Sequence, residues 1–94
     1  MITVDELSFE TAVKASKVPV IVVFVTEWSV ISGAVAKRAS ELDPTKFTVL
    51  KVDVDKSPSM AVRFSIRHVP FLMKFLPTGE LIASGKVLTD IITA

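Results

Sequence analysis

The chain contains no cysteine and no tyrosine, one tryptophan, one histidine and three glycines among its 94 residues. Without cysteine there is no disulfide framework, no thiolate metal site and no dithiol redox chemistry. A single imidazole leaves a transition-metal site without partners, so neither metal nor cofactor is expected. Eleven basic and ten acidic residues nearly cancel and form no run of one sign, which removes the electrostatic footprint of nucleic-acid or anionic-membrane binding. The longest apolar run, residues 18–25, is interrupted by Pro19 and falls far short of the roughly 20 residues needed to cross a bilayer. The first residues, Met1-Ile2-Thr3-Val4-Asp5-Glu6, carry neither a basic region nor a secretory apolar core, so a cytoplasmic location is expected.

What the chain does have is apolar mass, at 50% hydrophobic residues. That share suits one globular domain over 1–94 that buries roughly two-thirds of its unfolded surface. Ile2-Thr3-Val4 reads as a short strand. Ser8 is placed to cap a helix over 9–17, with Phe9, Ala12, Val13 and Ser16 at helical spacing; Val18-Pro19 ends it. Residues 20–25 are β-branched or aromatic without alternation, the mark of a central strand covered on both faces. After the exit loop Thr26-Glu27-Trp28, a helix is expected from Ser29 or Ser32 to Leu42, with Ile31, Val35, Ala39 and Leu42 as its inner stripe. Asp43-Pro44 stops it.

Residues 47–54 read as a third strand, with Val52 and Val54 on one face and Lys51, Asp53 and Asp55 on the other. Ser57-Pro58 opens a short helix to Phe64 in which Ala61, Val62 and Phe64 are candidates for burial. A fourth strand over 71–76, a turn at Pro77-Thr78-Gly79-Glu80, an antiparallel strand over 81–84 and a helix over 88–93 complete the chain. The order is β-α-β-α-β-α-β-β-α: an α/β fold with a mixed sheet flanked by helices.

Two stretches stand out on this frame: Trp28-Ser29-Val30-Ile31-Ser32 at the entry to the second helix, and Arg67-His68-Val69-Pro70 before the fourth strand. With Glu27-Trp28, Lys51-Val52-Asp53-Val54-Asp55 and the Gly79 turn, they occur in the order and spacing of the thioredoxin family, which the chain resembles over nearly its whole length. The resemblance implies a thioredoxin-like fold, a cis bond at Pro70, and a protein-disulfide oxidoreductase parent served by a thioredoxin reductase. It also puts Ser29 and Ser32 where the family carries its two reactive cysteines. Serine fills neither role, because an alkoxide is scarcely populated near neutral pH and oxygen cannot exchange with a disulfide. The chain as written is therefore expected to be redox-inactive. Other positions depart too. Val23 stands where the family keeps a buried acid, Val30-Ile31 replaces Gly-Pro, Gly33 replaces a usual Lys, and Phe71 replaces a common Thr.

Two origins of the serines are open: replacement of both cysteines, serine being the usual substitute, or natural loss that leaves a non-catalytic binding module. On either origin Trp28, Val30, Ile31, Val69, Pro70 and Phe71 form an apolar surface suited to a protein or peptide. Both serines also suit the start of a helix as capping residues. A hydrolase would need Ser29 paired with His68 and a third group to orient the base, and no acid is placed for that. Lys51, Asp53 and Asp55 read as solvated surface charges.

Overall fold

Residues 20–25 form the middle of the sheet, and every one of them is buried. The computed structural model describes all residues, 1–94. Its elements are β1 (Ile2–Thr3), α1 (Phe9–Ala15), β2 (Val20–Val25), α2 (Val30–Ser40), β3 (Thr48–Asp53), α3 (Pro58–Arg63), β4 (Phe71–Phe75), β5 (Leu81–Gly85) and α4 (Leu88–Ile92). This is the expected order. The strands lie as β1-β3-β2-β4-β5, with β1, β3 and β2 parallel and β4 and β5 antiparallel to their neighbours.

Alternation along β2 splits the core in two. Val20, Val22 and Phe24 pack with Phe9, Val13 and Met60, under α1 and α3. Ile21, Val23 and Val25 pack with Ala36, Ala39 and Ile91, under α2 and α4. Each such side chain contributes about 1.5–3 kcal/mol when fully buried, so a central strand covered on both faces is the heaviest single investment of this small fold. Between β4 and β5, Gly79 takes φ +96°, a conformation that a side chain disfavours. Its N–H donates to Leu76 O at 2.8 Å, and Leu76 N–H donates to Glu80 O at 2.9 Å.

Several sequence expectations are corrected. α1 stops at Ala15, two residues early, because the Ser16 hydroxyl donates to Val18 O (2.7 Å) and accepts from Val18 N–H (3.2 Å), folding the chain out of the helix. Ser8 occupies the N-cap position without a side-chain capping bond. Asp5 ties that corner instead, its Oδ1 accepting Leu7 N–H, Ser8 N–H and the Ser8 hydroxyl. α2 ends at Ser40, and its buried stripe is Ser32, Ala36 and Ala39. Val35 and Leu42 are half-buried beside that stripe, while Ile31 is exposed, since the helix is rotated towards its smaller residues. In α3 the buried residue is Met60; Ala61 and Phe64 are half-buried, and Val62 is 80% exposed. No helix is long and apolar enough to cross a membrane.

Candidate functional site

The sheet changes from parallel to antiparallel at β2, and the residues singled out in the sequence gather at one end of that strand. β2 exits at Val25, where Asp53, the last residue of β3, lies in register with it. β4 enters at Phe71, paired with Phe24. The loop after β2 and the loop before β4 therefore leave the same end of adjacent strands, and α2 begins there. In open α/β sheets ligands bind outside the carboxyl ends of the strands where the strand order reverses, as it does at β2, with β3 on one side and β4 on the other. The approach to β4 is set by Ser65, which takes φ +55° just after α3, and by a cis peptide bond between Val69 and Pro70.

Ser29 is the N-cap of α2. Its extended backbone (φ −111°, ψ 115°) lets its Oγ accept the N–H of Ser32 at 3.1 Å, satisfying one of the free donors of the first turn. The preceding loop is tied to the turn after β3. The Thr26 hydroxyl donates to the Asp55 carboxylate and accepts Trp28 N–H at 3.4 Å, while Lys56 pairs with Glu27 at 3.3 Å on the exposed rim. Asp53 stabilises that turn from inside, its Oδ1 accepting Asp55 N–H at 2.9 Å and Lys56 N–H at 3.2 Å.

The two serines differ sharply. Ser29 is half-buried and bonded; Ser32 is fully buried, and its Oγ has no hydrogen-bond partner. Most buried hydroxyls have one, and leaving one unmade costs about 1–3 kcal/mol. Outside this slot the apolar side chains face water, with Trp28 88%, Val30 91% and Ile31 68% exposed. Val69 and Phe71 are only half-open, since both also pack against the α1/α3 core, and Pro70 is likewise half-buried. The apolar surface thus consists of three free side chains at the head of α2 and a shallower strip leading into β4.

Behind the head of α2 lies a cleft of about 250 Å³, lined mostly by polar residues that include Thr3, Ser29, Ser32, Lys51, Asp53 and Lys56. This corrects the reading of Asp53 as a solvated charge: it is 7% exposed, because strand alternation turns it inward on the α2 side of the sheet. Lys51 is half-buried on the same side. An aspartate closing a strand just before a turn is a recognisable acceptor for the next N–H groups, and that signal points to Asp53. His68 does not line this cleft; it borders a separate hollow with Val54, Ala61, Ile66, Arg67 and Val69, so no Ser29–His68 pair forms. No cluster of metal-ligating side chains is present.

Comparison with known proteins places this geometry in context. The thioredoxin family profile matches residues 1–90. A thioredoxin of Rickettsia bellii is 32% identical over 76 residues, covering 77% of this chain and 71% of the relative. Thioredoxin C-2 of Corynebacterium nephridii is 34% identical over 84 residues, covering 86% and 76%. A thioredoxin of Mycobacterium tuberculosis is 36% identical over 77 residues, covering 79% and 66%.

Proposed function

Because the chain belongs to the thioredoxin family, we propose that it is the sulfur-free form of a cytoplasmic protein-disulfide oxidoreductase, with Ser29 and Ser32 at the two reactive positions. The observation that carries this reading is the Ser32 hydroxyl, buried and without a partner one helical turn from the Ser29 cap. A hydroxyl is a poor occupant of such a slot. A thiol, a weak donor that behaves as a small hydrophobe, fits it at little cost.

The chemistry follows from the two environments. A thiolate at position 29 stands at the N-terminus of an eleven-residue helix, where the dipole favours negative charge. It attacks one sulfur of a substrate disulfide, whose S–S bond breaks and whose other sulfur leaves as a thiolate. The thiol at position 32 passes its proton through solvent to the departed thiolate and attacks the mixed disulfide. The substrate's remaining sulfur departs, and a 29–32 disulfide is left to be reduced with two electrons by a thioredoxin reductase. Trp28, Val30, Ile31, Val69, Pro70 and Phe71 are the surface against which the substrate protein lies.

The test is the Ser29→Cys, Ser32→Cys double variant, assayed for reduction of a model protein disulfide with a thioredoxin reductase as electron donor. Turnover is expected, while either single variant stops at the mixed disulfide or fails to start. A folded double variant with no turnover would sink this reading. It would leave a second one, favoured by the three exposed apolar side chains at the head of α2: a non-catalytic module that holds a protein partner on the same surface.

A further inference from the structure

The sheet ends in two edges of unequal length. β1 runs for two residues, whereas β5, at the opposite edge, runs for five. Neither a charge nor a proline stands inside β5, and Leu81 is 44% and Ile82 39% exposed. Edge strands usually carry such guards, because their unpaired N–H and C=O groups invite a second strand. One guard remains. Ala83 pairs with Lys74 and Leu81 with Phe75, so Ile82 is an extra residue, a bulge that shortens any ladder the edge can offer. α4 covers one face of β5, where Ala83 packs with the cluster of Ile91 and Leu88; the core on the other face of the sheet contains no β5 residue. The strand is bracketed by opposite charges. Glu80 precedes it and Lys86 follows it, both exposed and neither in an ion pair. Ala83 lies midway between them. A second copy laid antiparallel along β5 and centred on Ala83 brings Glu80 of each copy to Lys86 of the other, so a twofold contact makes the same pair twice. A parallel alignment would oppose like charges.

We propose that β5 is a self-association surface whose partner is a second copy of this chain, docked antiparallel by two Glu80–Lys86 pairs beside the exposed Leu81 and Ile82 side chains. The short strand and its bulge make the contact weak, with a Kd on the order of 100 μM. The contact leaves the Ser29 surface free, since β4 separates β5 from β2. Sedimentation equilibrium of the full chain at low salt, over concentrations that bracket that Kd, is the test. Glu80→Lys or Lys86→Glu turns both attractive pairs into repulsive ones and is expected to weaken dimerisation about tenfold. Both side chains face water, and Glu80 lends only backbone groups to its turn, so the single variants are expected to keep the circular dichroism of the starting chain. Glu80→Lys combined with Lys86→Glu leaves the net charge unchanged and restores the pairs in reverse. Its dimerisation is expected to return to within about threefold of the starting chain. Added salt weakens both dimers. A chain still monomeric at about ten times that Kd overturns the proposal, as does a double variant no stronger than the singles. A dimer built instead on Trp28, Val30 and Ile31 would be indifferent to the order of charges along β5, and that result also counts against it.

Discussion

Replacing Ser32 with alanine should stabilise the protein, an uncommon outcome for a fully buried position in its longest helix. The Ser32 hydroxyl has no partner in the fold, whereas in the unfolded chain it bonds to water. Removing it recovers about 1–3 kcal/mol of lost hydration. Alanine's better helix propensity adds a few tenths of a kcal/mol, about 0.4. Against this stands the gap left by one oxygen, too small to offset the gain in a stripe that already ends in Ala36 and Ala39. The net expectation is about 1–2 kcal/mol of added stability. For a domain of this size that raises Tm by about 4–16 °C, at roughly 4–8 °C per kcal/mol. The matched control is Ser29→Ala, which removes the acceptor for Ser32 N–H and should cost about 1 kcal/mol. Urea unfolding of the three proteins, with equal m-values, reads both effects. A destabilised Ser32→Ala protein, or two variants that move in the same direction, would refute the asymmetry on which the proposed function leans.

Other consequences can be checked separately. Lys74 is buried, with its Nζ donating to Ile92 O at 3.2 Å and Ala94 O at 2.8 Å and lying 5.6 Å from the centre of the Phe47 ring. Lys74→Met should loosen α4 and speed amide exchange at Ile91, Thr93 and Ala94 about tenfold; unchanged exchange would mean that the lysine does not hold the helix. The backbone and side-chain hydrogen bonds from Ser8, followed by the one from Leu7, hold the Asp5 carboxyl below its ordinary value of 3.8. A group with a lowered folded-state pKa contributes stability that is complete above its unfolded value and is lost as pH falls through the folded one. Asp5→Asn should therefore flatten the acid limb of the stability curve below about pH 4, and a limb of unchanged slope would speak against it. Arg63 donates to Glu10 at 2.8 Å and lies 5.0 Å from the centre of the Phe64 ring and 5.5 Å from that of Phe9. Arg63→Ala should cost about 1 kcal/mol in thermal or urea unfolding, most of it insensitive to salt because the aromatic contact outweighs the exposed ion pair. A loss abolished by high salt would reverse that ranking.

Much of the architecture is written in local patterns. The unbroken apolar run of β2 requires cover on both faces, and it received it. Alternation put Leu50 and Val52 in one core and turned Lys51 and Asp53 to the opposite face. The errors fall where the decision is not local. Helical periodicity marks Ile31 and Val35 as readily as Ser32 and Ala36, and the close approach of α2 to the sheet selected the smaller pair. Residues 60–64 offered several apolar candidates within little more than one turn, and docking against Phe24 and Phe9 selected Met60 over Val62. A serine before a helix marks a cap, but whether Ser8 or Asp5 ties the corner depends on how the chain enters from β1.

The sequence by itself determined the order of elements, the membership of the thioredoxin family and the absence of cysteine, because these rest on residue identity, spacing and periodicity. Only the tertiary structure separated the two serines. Ser29 and Ser32 are the same residue three positions apart, and nothing local distinguishes them. The head of α2 gives Ser29 an N–H to accept, while the packing of α2 against β2 encloses the Ser32 oxygen without a partner. The same packing draws Asp53 and Lys51, distant in sequence, into the cleft behind them. Hydrogen-bond satisfaction and the neighbourhood of charges are properties of the assembled chain, which is why they became legible only once the helix lay on the sheet.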